Sequence, residues 1–309
     1  MTYQNLQEKL SSGSLLILDG GIGTEVLRRG VRWRQHGIED APDVIRQIHI
    51  DYLNAGADVI TSHTFNLTKR NFINFFRDTE HMVEIGHGGL ETRAEELCHQ
   101  AIVLAKEALE TTGKQGQVPI AGSISPIQHL FRPDLAPSSE LCYEHHKECV
   151  SVLKDCSVDF IFFEAMNNIS ELKAALQAGK ESNLPLWVSL IPNHHGNLLG
   201  GESLVEAAKL ARNGGVDVVF LSAAPLEVIT QNLPTITNRG ITGAKAMIGK
   251  YNPPSWKPDF YPRFEQTDQS TPEAYADFAR RWKDTGATII GGGSGTTPEH
   301  IAILKSTLI

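Results

Sequence analysis

Apolar residues in this chain gather in short, nearly unbroken runs that alternate with longer stretches of helical period. Eight such runs occur in order: Leu15–Leu18, Asp58–Thr61, Pro119–Gly122, Phe160–Phe163, Leu186–Leu190, Val216–Leu221, Ala246–Gly249 and Thr288–Ile290. Most are continuous rather than alternating, the pattern of parallel strands covered on both faces. Helical periodicity or helix end signals mark Ala41–Ala55, Leu90–Leu109, Ser139–Asp155, Ser170–Gly179, Ser203–Arg212, Glu227–Leu233 and Pro272–Asp284. Ser170 before Glu171 and Thr271 before Pro272 stand in N-cap position. Strand and helix alternating eight times predict an α/β fold of the (β/α)8 TIM-barrel type, a single domain over residues 1–309. The competing architecture is a doubly wound open sheet, which needs a glycine-rich turn that opens a helix directly after strand one. Asp19-Gly20-Gly21-Ile22-Gly23 has the glycines, but the segment after it, Thr24–Gly30, is short and runs into the loop Val31–Asp40.

Composition narrows the class. Hydrophobic residues make up 41% and charged residues 21% of 309, ordinary for a globular chain, and the net charge of −8 argues against nucleic acid or an anionic membrane as partner. No run reaches the ~18 apolar residues that suggest a bilayer span. The lead over residues 1–14 is polar and lacks the apolar core of a signal peptide, so a cytoplasmic location is expected. The four cysteines then read as free thiols.

In a barrel of this kind the active site forms at the C-terminal ends of the strands. The residues just past the eight runs are Asp19, Gly20, Gly21, Ser62, His63, Thr64, Ser123, Ser125, Glu164, Asn193, His194, Ser222, Tyr251, Asn252, Gly293 and Ser294. Two carboxylates, several hydroxyls and a glycine-rich last loop suit a small zwitterion: carboxylates for an ammonium, hydroxyls and backbone N–H groups for a carboxylate. The loop of Gly292, Gly293 and Ser294, ahead of a helix opened by Thr297-Pro298, reads as an anion-binding element. As bland alternatives, Asp19-Gly20-Gly21 forms only a tight turn and Glu164 only a strand-end ion pair. Cys142-x-x-His145-His146-x-x-Cys149 puts four metal-capable side chains on one helical face, yet an outer helix packing Cys and His against the barrel explains it better. Trp33, Phe72 and Phe75 are loop aromatics that could pack on a methylated cation.

These residues resemble, in order, the motifs of the homocysteine S-methyltransferases. Asp19-Gly20-Gly21-Ile22-Gly23-Thr24-Glu25 is similar to that family's DGG-x-GTE-type opening. The segment from His49 through Tyr52 and Ala55-Gly56-Ala57-Asp58 to Thr61-Ser62-His63-Thr64-Phe65 resembles its H-x-x-Y-x-x-AGAD-x-I-x-TNTF stretch. Gly122-Ser123-Ile124-Ser125-Pro126 resembles GS-x-GP, Phe163-Glu164-Ala165-Met166 resembles the fourth-strand FET motif, and Gly291-Gly292 with Gly295–Ile301 resembles the closing GGCCGTTPEHI. The set spans about residue 15 to residue 305.

The resemblance implies methyl transfer from a sulfonium, ammonium or methylfolate/cobalamin donor to homocysteine, whose thiol is activated as a thiolate on zinc held by three cysteines. Coordination deprotonates a thiol of pKa about 8.5. Here the family's zinc positions are occupied by Ala223, Gly293 and Ser294, so the family's zinc lacks its cysteine ligands and no other cofactor is expected; a site of histidine and carboxylate, from His63, His129, His194 or His195 with Glu164 or Asp19, is left as the alternative for a metal. For methyl transfer without zinc, His63 and Glu164 are the expected catalytic residues, and substrate contacts are expected from Asp19, Gly20, Gly21, Thr64, Ser123, Glu164 and Tyr251. The partner is a small molecule, an amino acid or a methylated onium compound; homo-oligomer formation is left open. Two other readings stand beside methyl transfer: a zinc-independent hydrolase or lyase of a methylated sulfur or nitrogen compound, and a non-catalytic binding member.

Overall fold

The computed structural model describes residues 2–31, 35–70, 89, 92–252, 263–266 and 271–309. Eight strands form one parallel sheet: β1 Leu16–Ile17, β2 Ile60–Thr61, β3 Ile120–Ile124, β4 Phe160–Met166, β5 Leu186–Leu190, β6 Val218–Pro225, β7 Thr242–Met247 and β10 Ile289–Ile290. Their spatial order is β1-β10-β7-β6-β5-β4-β3-β2, so each strand but the first and last lies between sequence neighbours. The edge strands β1 and β2 meet at a single parallel bridge, Leu18 to Val59. Asp58 N–H donates to the Ile17 carbonyl at 2.7 Å and Asp19 N–H to the Val59 carbonyl at 3.2 Å. The sheet therefore curls close to a TIM-type fold, its seam joined by a bridge rather than a ladder. Between β7 and β10 the chain forms a two-stranded antiparallel hairpin, β8 Gly249–Asn252 with β9 Arg263–Gln266.

Helices cover the outside: α1 Thr2–Ser11, α2 Ile22–Arg28, α3 Pro42–Asn54, α4 Arg93–Thr111, α5 Ser139–Asp155, α6 Ile169–Glu181, α7 Leu204–Asn213, α8 Leu226–Asn232, the single turn Pro234–Thr237, α9 Pro272–Thr285 and α10 Pro298–Leu308. α3 shows why. Pro42 at the start lacks the N–H that would be unsatisfied there. Ile45, Ile48, His49, Tyr52 and Leu53 then fall on one buried stripe. The caps refine the sequence reading. Thr271 accepts from Ala274 N–H as expected, whereas α6 is capped by Asn168, which accepts from Glu171 N–H at 2.8 Å, and not by Ser170. No helix among the described residues is long and apolar enough to cross a membrane.

The seventh strand lies at Thr242–Met247, four residues before the expected start at Ala246. The reason is steric and compositional. Gly243 faces inward, where a Cβ would come within 2.1 Å of the Phe220 ring, and Lys245 is the next inward residue, so the strand lacks the apolar run that marks its neighbours.

Inward and outward residues sort by the strand's period of two. Outward side chains pack against the helices. Inward ones form a separate apolar cluster of Leu16, Leu18, Val59, Ala121, Phe160, Phe162, Trp187, Val218, Phe220 and Ile289, with Tyr3, Leu6 and Leu10 of α1 packed against it. Phe160, Phe162, Trp187 and Phe220 stack with ring centroids 4.4–5.9 Å apart. Tyr3 ties α1 to this stack by accepting from the Trp187 indole at 2.9 Å and donating to Asp217 at 2.5 Å.

Candidate active site

The next inward position is polar on six of the eight strands and glycine, Gly20 and Gly291, on β1 and β10. Continuing the alternation from Val59, Ala121, Phe162, Trp187, Phe220 and Gly243 gives Thr61, Ser123, Glu164, Ser189, Ser222 and Lys245. These six side chains form a layer directly on the aromatic stack, at the C-terminal ends of the strands.

At its centre is an ion pair. Lys245 donates to Glu164 Oε2 at 2.5 Å, and the Ser123 hydroxyl donates to Glu164 Oε1 at 2.6 Å. Both charged residues are 8% exposed, and the Lys245 ammonium sits 5.5 Å from the Phe162 ring centroid. Cation and ring attract at such a distance. A closed ring of hydroxyl bonds holds Ser123 in place: its N–H donates to Ser62, Ser62 bonds Thr64, and Thr64 donates back to the Ser123 carbonyl at 2.6 Å. Ser189 accepts from Ala165 N–H and from the Ser222 hydroxyl, each at 2.7 Å, which links β4 to β6.

Asp19 closes the layer on the β1 side. It is fully buried and takes Thr61 N–H at 2.7 Å, with the Thr61 hydroxyl 3.0–3.1 Å from both its oxygens. Burial pushes its carboxyl up to about 7. The Thr61 hydrogen bonds and the positive charge of Lys245 oppose that rise, and the negative charge of Glu164 adds to it. Asp19, Glu164 and Lys245 thus share one electrostatic environment. An acid poised near neutrality beside a fixed ion pair can accept a proton from a bound nucleophile.

The two glycine loops are laced to each other. Gly292 N–H donates to the Asp19 carbonyl and Gly293 N–H to the Ala246 carbonyl. Gly21 N–H goes to the Thr296 hydroxyl and Gly295 N–H to the Thr24 hydroxyl. Thr297 and His300 form a capping box at the start of α10. In the loop expected to bind an anion, the Gly292 and Gly293 N–H groups and the helix end beyond it are thus engaged within the protein. Gly21 allows this close approach, since a Cβ there would lie 2.5 Å from the Gly293 carbonyl oxygen.

The three positions that the family resemblance assigns to zinc cysteines fail as a metal site for different reasons. Ala223 offers no donor, although its backbone is kept in the left-handed region at φ 53°, within an irregularity between Ser222 and Pro225. Ala165, just after Glu164, has the same conformation at φ 60°. Strain of this sort gathers at functional sites. At position 293 no side chain fits, because a Cβ would come 2.4 Å from the Ala246 carbonyl oxygen. Ser294 has only a hydroxyl, a poor zinc ligand at neutral pH. Among the described residues no group of three or more His, Cys, Asp and Glu side chains is arranged to hold a metal ion.

Other expected residues fall elsewhere. His63 is buried, its Nε2 2.9 Å from the His36 carbonyl, and burial first and the neighbouring histidines next bring it down to about 3. That makes it a weak base facing the histidines, and Asp19 is the better-tuned proton acceptor. Tyr251 lies in the β8–β9 hairpin rather than at a sheet-strand end. His194 and His195 are exposed. On α5, Cys142 and His146 are buried; Cys142 donates to the Pro137 carbonyl and His146 sits 3.2 Å from Glu171. This is the packing arrangement. Trp33, Phe72 and Phe75 lie outside the described residues. Sequence reasoning missed Lys245, the one basic member of the layer. The signal that could have found it is a lysine two residues after an inward glycine in a strand flanked by apolar ones.

A family model described as homocysteine S-methyltransferase matches residues 16–308. The chain is 26% identical over 317 residues to a selenocysteine methyltransferase of Astragalus bisulcatus, covering 94% of this chain and 91% of that one. It is also 26% identical over 321 residues to the homocysteine S-methyltransferase of Escherichia coli K12, covering 97% of each. The metallated crystal structure of the E. coli homocysteine methyltransferase MmuM superposes with a TM-score of 0.77 at 22% identity, over 97% of this chain and 99% of that one.

Proposed function

Because the chain belongs to the homocysteine S-methyltransferase family, we propose that it transfers a methyl group to a small amino-acid-like acceptor held on the polar layer, without a thiolate zinc site. The architecture is read as a (β/α)8 barrel in one domain over residues 1–309. The donor is a methylated sulfonium or ammonium compound: its methyl–heteroatom bond breaks, the leaving group keeps the electron pair, and the acceptor forms the new bond and gives up a proton. Asp19, poised near 7, takes that proton. Glu164, held by Ser123 and Lys245, fixes the charge pattern of the floor. Thr64 and Ser123 keep their hydroxyls ordered in the layer, and Gly20 and Gly21 form the β1 wall.

The observation that carries this reading is the buried grouping of Asp19, Glu164 and Lys245 at the strand ends of a family barrel. General-base assistance is worth ~10²–10⁴-fold in rate, enough to replace part of what a metal-bound thiolate supplies. Onium hydrolysis or ligand binding alone gains no support from the named relatives, which are methyltransferases.

The experiment is methyl transfer from S-methylmethionine to L-homocysteine labelled in its carbon skeleton, followed by mass spectrometry after exhaustive chelation. Labelled methionine is expected, with the rate lowered ~10²-fold or more in Asp19→Asn. Methanol and unlabelled methionine, with no labelled methionine formed, would replace transfer by hydrolysis.

A further inference from the structure

We infer that Lys245 supplies, from within the protein, the cation that a zwitterionic ligand would otherwise bring to Glu164, so that the pocket selects its acceptor by a carboxylate and treats an α-ammonium as dispensable. The inference rests on the polar layer being the acceptor pocket and names the acceptor's chemical class.

Three observations lead there. First, both oxygens of Glu164 are already engaged, by the Ser123 hydroxyl and by the Lys245 ammonium at 2.5 Å. A substrate ammonium would have to displace a cation that is tethered on the neighbouring wall and pays no association entropy each time it returns. Second, Lys245 uses one of its three N–H donors on Glu164 and lies over the Phe162 face. Among the described residues no other group accepts from it, so two donors of a nearly buried ammonium remain for a ligand. Third, Glu164 and Lys245 form a matched ion pair, and the neighbouring Asp19 has its oxygens engaged by Thr61. A layer built to receive an ammonium would carry an uncompensated carboxylate. This one has its compensation in place, and its unmatched hydrogen-bonding capacity is that of a donor.

A carboxylate oxygen is the natural complement. Charge-assisted N–H···O bonds from an ammonium to a carboxylate are about twice as strong as neutral ones. Thr64 and Ser62 do not compete for it, since their hydroxyls close a ring on the backbone of Ser123.

The test uses three thiols of one skeleton: L-homocysteine, 4-mercaptobutanoate, which lacks the amine, and 3-aminopropane-1-thiol, which lacks the carboxylate. Binding to the full chain is measured by calorimetry at pH 7.5. The expected result is that loss of the amine changes Kd by less than ~3-fold, while loss of the carboxylate weakens binding ~30-fold or more. Lys245→Met should erase that difference. Lys245→Arg, which keeps the charge, should preserve its sign. Because Lys245→Met leaves Glu164 without its partner, the double variant Lys245→Met/Glu164→Gln is measured beside it, and it too should lose carboxylate selection. Tighter binding of the amine-only thiol than of the acid-only thiol overturns the inference while leaving the acceptor pocket in place. So does an unchanged ratio in both Lys245→Met variants. If none of the three thiols binds, the pocket reading itself falls, and the inference falls with it.

Discussion

The curled sheet encloses two layers that solve opposite problems within a few residues of each other. Below, Phe160, Phe162, Trp187 and Phe220 stack as a dry aromatic floor, sealed by α1 through Tyr3. Above, Thr61, Ser123, Glu164, Ser189, Ser222 and Lys245 form a polar layer in which hydrogen bonds and one ion pair replace apolar contact. The floor is stabilised by shape and area, so it tolerates no missing volume. The layer above is held by pairing, so it tolerates loss of both partners far better than loss of one.

Substitutions can break that contrast, and the largest effect belongs to the floor. Trp187→Ala removes a fully buried indole among three phenylalanines and should cost about 3–5 kcal/mol in denaturant unfolding. No second change nearby should recover it. In the polar layer, Glu164→Ala leaves Lys245 buried beside Phe162 without its carboxylate, and a cost of about 3 kcal/mol is expected. There the double variant Glu164→Gln/Lys245→Met should recover most of the loss. If the double variant were as unstable as the single, the layer would depend on shape in the way the floor does.

A smaller effect separates the layers by pH. Asp19 has its carboxyl raised to about 7 by burial, from an ordinary value near 3.8. The folded protein therefore holds this proton more tightly than the unfolded chain, and the stability it contributes is fully present below about 4 and lost as pH rises to about 7. The buried His36 and His49 are each lowered to about 4 and act in the opposite sense, weakening the fold as pH falls from 6.5 toward 4. Comparison with Asp19→Asn isolates the first effect: relative to the variant, the wild type should lose stability from pH 4 to pH 7 in denaturant titrations. A constant difference across that range would show that Asp19 stays ionised. The smallest expected change is a gain. Ala223 occupies the left-handed region, and Ala223→Gly should relieve strain and raise stability by up to about 1 kcal/mol, as seen in thermal unfolding.

How much was legible in the sequence follows from these same residues. β4 and β5 announce themselves through Phe160–Phe163 and Leu186–Leu190, because strands apolar on both faces leave continuous runs. Alternation along β3 and β4 then places Ser123 and Glu164 in the site, whereas Asp19 follows the inward Leu18 and joins the layer through its bonds to Thr61. β7 escaped because its inward positions are Gly243 and Lys245, one emptied to admit the Phe220 ring and the other charged. The displaced strand hid the lysine, and with it the ion pair that sets the character of the pocket. The glycine loops were only partly legible for a related reason. Glycine signals an open backbone, but here the openness is used by two loops approaching each other, which only the paired geometry of Gly21 and Gly293 discloses. His63 stands beside the strand end in sequence, yet its ring turns to His36, and sequence position carries no information about that rotation.

The sealed aromatic floor has a consequence for traffic through the interior of the sheet. Phe160, Phe162 and Phe220 carry no exchangeable hydrogen and the Trp187 indole N–H is engaged by Tyr3, so the floor offers no relay for a hydrogen ion, and exchange with solvent is expected at the mouth, where the strands end. Whatever ligand covers that mouth would also isolate the layer from bulk solvent, and the protonation state present at the moment of closure would be the one available to the reaction. The order in which ligand and hydrogen ion arrive would then decide which complexes go forward, with solvent isotope effects as the natural readout.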